Sequence, residues 1–194
     1  MRSLININNV YISIMFVQTE NTPNPNSLKF IPGKKVSMIG PVEILEDKST
    51  NNELIKNILS VKGILSVFLY EDFLSVNKNN DVDWSETKHI IISYINEYYL
   101  KGNECVITKE ESHNKLDNLN EIEKKIVNLL ETKIRPAVSR DGGDITFKEF
   151  NNGVVTVKLQ GSCSGCPSST ITLKRGVENL LCHYIPEVKE VVSI

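Results

Sequence analysis

Apolar residues recur along this chain in two rhythms, and the rhythms divide it into helices and strands. Phe16 to Gln18 reads as a short strand. The segment TENTPNPNS follows, in which Pro23 and Pro25 remove two backbone donors and fix φ, so it must be extended or turning. LKFIPG resumes a strand that stops at Pro32-Gly33, and PVEILE is short and strand-like. Leu54, Ile55, Ile58 and Leu59 recur at helical spacing, with Ser49, Thr50 and Asn51 available as caps. Ile64–Tyr70 and Phe73–Val76 predict a hairpin around Glu71-Asp72. Asp83-Trp84-Ser85 opens a second helix, whose Ile91, Ile92, Ile95, Tyr98 and Tyr99 share one broad face.

Residues 101–118 (KGNECVITKEESHNKLDN) break every periodicity and read as a linker. A strong stripe then restarts: Ile122, Ile126, Leu129 and Leu130 predict a helix that Pro136 and RDGGD should end. DITFKEF and VVTVKLQ alternate with period two around Asn151-Asn152-Gly153, a hairpin signal. GSCSGCPSS is a loop, Pro167 suits a first helical turn, Ile171–Leu181 continues as helix, and Val188–Ile194 is a last strand. The expected fold class is α+β in two small domains. Residues 15–100 would form an antiparallel sheet with two helices. Residues 119–194 would run α-β-β-α-β with a three-stranded mixed sheet.

Composition narrows the function. The chain has 194 residues, 22 basic and 24 acidic, for a net charge of −2. No basic face is forced, so no nucleic-acid partner is expected. No apolar run approaches the ~20 residues of a spanning helix, so no membrane role is expected. Ala137 is the one alanine, a bias of the kind an AT-rich genome produces. Residues 1–14 contain a single Arg and no acid, and read as a tail or start artefact ahead of Met15 more than as a targeting segment.

Four cysteines are too few for a disulfide scaffold, and two of them carry the chemistry. Cys163 and Cys166 lie in a Gly-flanked strand-to-helix loop, GSCSGCP. This spacing can bring two thiolates onto one metal, and a helix start just beyond Cys166 favours its thiolate. Three readings fit the pair: metal or cluster ligands, a dithiol redox couple, or a structural pair. Two thiolates cannot complete a four-cysteine site. Cys182 lies a whole helix away and suits the core, and Cys105 falls in the linker. Two copies of the loop on a two-fold axis would supply four sulfurs. Asp141-Gly142-Gly143-Asp144 reads as a helix stop and turn, and TPNPNS as a rigid surface turn.

RPAVSRDGGDI, the strand pair and GSCSGCPSSTITLKRGVE together resemble the C-terminal NifU domain. MFVQTENTPNPNSLKFIPG, GILSVFLYEDFLSVNK and DVDWSETK resemble the Nfu N-terminal domain. The resemblance implies an iron–sulfur cluster scaffold and carrier with no turnover of its own. It implies a 4Fe–4S cluster held between two protomers, with Cys163 and Cys166 as ligands in each. It also implies an upstream assembly machinery as donor and apo iron–sulfur proteins as recipients. A dithiol redox protein or a structural zinc module would use the same cysteines. A bacterial cytoplasm is the expected compartment, with the mitochondrial matrix as the alternative.

Overall fold

The computed structural model describes residues 4–7, 10–13, 16–45, 50–107, 119–164 and 167–194. The chain divides into two compact units: residues 1–20 with 29–109, and residues 110–194 together with 21–28. Both are mixed α and β, as the patterning predicts.

In the first unit, β1 (Leu4–Ile7) and β2 (Val10–Ser13) pair antiparallel as a sheet of their own, within the stretch expected to be a tail. Five further strands, all in the first unit except Asn21 of the first and Ser27 and Leu28 of the second, form one sheet in the order β3-β4-β7-β6-β5. They are β3 (Gln18–Asn21), β4 (Ser27–Ile31), β5 (Val42–Ile44), β6 (Ile64–Leu69) and β7 (Leu74–Lys78). The β5–β6 and β6–β7 pairs are antiparallel. Helix α1 (Glu53–Leu59) is capped by Asn52, not by the residues before it. The side chain of Asn52 accepts from the Ile55 amide at 3.3 Å and donates to the Val106 carbonyl at 2.8 Å. A second partner, distant in sequence, thus selects the cap. Helix α2 (Trp84–Leu100), capped by Asp83, buries Thr87, Ile91, Ile95 and Tyr99, a strict i, i+4 row.

The expected linker is packed at its start. The Val106 amide donates to the Val36 carbonyl at 2.9 Å, and the Met38 amide donates to the Ile107 carbonyl at 3.0 Å. Cys105 is buried there, its thiol donating to the Val36 carbonyl at 3.0 Å. Residues 108–118 lie outside the described residues.

The second unit opens with α3 (Glu121–Leu129), started by a capping box between Asn120 and Glu123. Pro136 does not end this helix. A π-helical turn over Leu130–Ile134 leads directly into α4 (Arg135–Arg140). The Arg135 amide reaches back five residues to the Leu130 carbonyl, and the widened turn places Pro136 where a helix start tolerates it. β8 (Gly143–Asn151) and β9 (Val154–Gly161) pair antiparallel across Asn152-Gly153. Both loop residues have positive φ, +51° and +89°, the turn that the Asn-Gly pair predicts. α5 (Pro167–Tyr184) follows, and β10 (Glu190–Ser193) closes the sheet parallel to β9, in the order β10-β9-β8. The sheet is therefore mixed. Ile126 from α3, Leu130 from the π-helical turn, Val177 and Leu181 from α5, and Val155 and Val157 from β9 meet in one core. That core fixes the ends of β9 and α5, and the cysteine loop lies between them.

Among the described residues no helix is long and apolar enough to cross a membrane.

Candidate metal centre

β9 ends at Gly161, and the chain turns through Ser162, Cys163 and Ser164 toward α5. Short polar side chains build this turn. The Ser164 amide and hydroxyl both donate to the Gly161 carbonyl, at 3.1 and 2.8 Å. Thr170, one turn into α5, donates its hydroxyl to the Cys163 carbonyl at 3.2 Å. Serine and threonine suit such loops because their hydroxyls replace missing ladder partners.

The end of α4 braces the turn from the other side. Asp141 caps α4, Gly142 leaves the helix at φ +85°, and β8 begins at Gly143. Ser162 donates its amide to the Gly142 carbonyl at 3.2 Å and its hydroxyl to the Asp141 carbonyl at 2.6 Å. The Asp-Gly-Gly-Asp segment, read from sequence as a helix stop and turn, is therefore also a wall of the cysteine loop. Asp144 is wholly buried, and Arg135 grips it from Nε and Nη2 at 2.7 and 3.1 Å. The same guanidinium holds Glu131 at 2.6 Å. Burial pushes the Asp144 carboxyl up, against the pull of Arg135. Burial also works against the Arg135 charge, but its bonds to Asp144 and Glu131 overcome this and keep it firmly protonated.

Cys163 is 8% exposed. Burial pushes its thiol up to about 11, only partly opposed by the neighbouring Ser162 hydroxyl. The metal-free thiol is therefore held neutral. It lines a cavity of about 470 Å³ with Val138, Asp141, Ser162, Thr172, Leu173 and Pro23. Cys166, its expected co-ligand, lies outside the described residues. Cys105 is buried against Val36 in the first unit, while Cys182 sits half-buried on α5 against the second core. Neither stands in the cavity that Cys163 lines. Among the described residues no three His, Cys, Asp or Glu side chains converge as a metal site.

Two contributors were not legible as site residues from sequence. Gly143 abuts the Cys163 sulfur across the β8–β9 pair, and its only signal was the doubled glycine after a helix. Asn24 approaches from 138 residues away, its amide donating to the Ser162 carbonyl at 3.1 Å and the Ser164 carbonyl at 3.2 Å. The Pro-Asn repeat around it signalled a turn, not a destination.

A mixed three-stranded sheet that presents a braced cysteine loop to a cavity defines a class of small thiol-bearing binding domains. The family models place this chain more closely. Residues 17–102 match the scaffold protein Nfu/NifU N-terminal family, and residues 126–192 match the NifU-like domain. The Arabidopsis thaliana protein "NifU-like protein 4, mitochondrial" is 42% identical over 184 residues, covering 91% of this chain and 65% of that one. The human "NFU1 iron-sulfur cluster scaffold homolog, mitochondrial" is 41% identical over 186 residues, covering 94% and 73%. A NifU-like protein of Saccharomyces cerevisiae, solved by NMR in solution, aligns at 26% identity and a TM-score of 0.45, over 54% of this chain and 97% of that one. The chain belongs to the Nfu family of NifU-like proteins.

Proposed function

We propose that this protein is an iron–sulfur cluster scaffold and carrier, a binding protein without turnover of its own. The observation that carries the reading is the Cys163 thiol. It is set in the wall of a cavity on a loop braced from both sides, in a chain whose relatives are named iron–sulfur cluster scaffolds. Cys163 and Cys166 would be the ligands. A 4Fe–4S cluster needs four thiolates, so two protomers each supply the pair and the loaded form is a homodimer.

In this reading the cluster is cargo. Cys163 and Cys166 give up their protons on loading, and Ser162 and Thr170 keep the loop in register. Recipient thiolates then replace the carrier's thiolates on iron, ligand for ligand, with no change of oxidation state. The donor is an upstream assembly machinery and the recipients are apo iron–sulfur proteins. Of the two expected compartments, the relatives' names favour the mitochondrial matrix over a bacterial cytoplasm.

Anaerobic reconstitution tests the reading. The expected product is brown and dimeric, with about two iron and two sulfide per chain, and it activates an apo-enzyme faster than free iron and sulfide do. A colourless zinc-loaded protein, or a monomer with about four iron per chain, would overturn it.

A further inference from the structure

Residues 21–28 belong to the same compact unit as the cysteine loop, and their internal bonds show what they are built to present. The Ser27 amide donates to the Asn24 carbonyl at 2.9 Å. The Thr22 hydroxyl donates to the carbonyls of Asn24 and Ser27, at 2.8 and 3.1 Å. The Asn26 amide donates to Asn24 Oδ1 at 3.0 Å. The turn thus uses up the oxygen of the Asn24 side chain and leaves its amide nitrogen facing outward. That nitrogen meets two carbonyls, those of Ser162 and Ser164, one on each side of Cys163. Oxygen to a donor and nitrogen to two acceptors is the one orientation of the amide that satisfies every contact. Asn24 is 3% exposed, and its neighbour Pro23 lines the same cavity as Cys163.

We propose that Asn24 is a positioning residue for Cys163. By tying together the carbonyls on either side, it holds the cysteine in its covered place. It thereby sets how readily the thiol is reached and how long a bound cluster stays. Only asparagine or glutamine offers both an acceptor for the turn and two donors for the loop, and glutamine would be one methylene too long for this turn. The effect on cluster lifetime rests on the carrier reading; the effect on the thiol does not.

Two variants test this. Asn24→Asp keeps the turn's acceptor but removes both donors and sets a carboxylate against two carbonyls. Asn24→Ala removes donors and acceptor together. In the metal-free protein, alkylation by iodoacetamide, resolved by mass spectrometry, should be about tenfold faster at Cys163 in both variants, the effect expected from two lost hydrogen bonds. Cys105 and Cys182 should react at wild-type rates and act as internal references. In the cluster-loaded protein, loss of the 400 nm absorbance to a chelator should accelerate by a similar factor. Cys163 reactivity within about twofold of wild type in both variants would overturn the proposal, since lost hydrogen bonds must show. So would a parallel rise at Cys105, because Asn24 would then support the fold at large instead of one loop. Failure of the wild type to take up a cluster would remove the carrier reading and leave the alkylation result to decide for or against Asn24.

Discussion

A Cβ built on Gly143 would lie 2.5 Å from the Cys163 sulfur and 2.8 Å from the Gln160 carbonyl oxygen. The backbone of β8 is thus the surface against which the thiol rests. Gly143→Ala must push either the sulfur or the strand aside. Overpacking of this kind costs about 1–3 kcal/mol. The expected outcome is a lower denaturant midpoint together with reduced iron and sulfide after reconstitution. A variant with wild-type stability and cluster content would show that the loop yields freely.

Arg135 and Asp144 behave as one unit. Asp144 has no exposed surface and depends on the guanidinium for two hydrogen bonds. Arg135→Met leaves a buried carboxylate unpaired, which costs about 3–5 kcal/mol. The double replacement Arg135→Met with Asp144→Leu removes both charges and should recover much of that loss. Equilibrium unfolding of the two single variants and the double variant measures the coupling. Additive effects would mean that the pair is not coupled.

The cysteines should separate cleanly. Cys163→Ser and Cys166→Ser each remove two of the four ligands in a dimeric site, and stable cluster binding should disappear. Cys182→Ser keeps a small half-buried side chain on α5, and Cys105→Ser keeps a donor for the Val36 carbonyl. Both should reconstitute close to wild type. A folded Cys182→Ser protein that takes up no iron would move the site to the other end of the helix.

What the sequence disclosed and what it hid follow the range of the forces involved. The stripe Ile122, Ile126, Leu129 and Leu130 and the Asn152-Gly153 turn are local patterns, and each lies where the pattern puts it. Pro136 misleads because a π turn, a feature with no residue signature, absorbs the missing amide. Asn52 wins the cap of α1 over Ser49, Thr50 and Asn51 through its bond to Val106, a residue 54 positions on. The loop around Cys163 is the same kind of case. Its own serines and threonine could be read, whereas Gly143 and Asn24 become neighbours only once the chain has folded. The burial of Cys163 has the same origin: its cover comes from residues that spacing alone does not connect.

The last prediction separates the fold of the second unit from the hold on its cysteine. Every buried residue of the core cluster shared by α3, the three-stranded sheet and α5 lies between Ile126 and Val191. A fragment of residues 119–194 contains this core, the capping box at Asn120 and the cysteine loop, so it should fold alone and give a dispersed NMR spectrum. It lacks residues 21–28, and with them the Asn24 bonds to Ser162 and Ser164 and the Pro23 wall of the cavity. The fragment should therefore assemble the cluster but release it to a chelator about tenfold faster than the full chain, the factor expected from two missing hydrogen bonds. A fragment that folds and keeps its cluster as long as the full chain would show that the loop needs nothing from the first thirty residues. A fragment that folds but never takes up iron would make residues outside 119–194 part of the site.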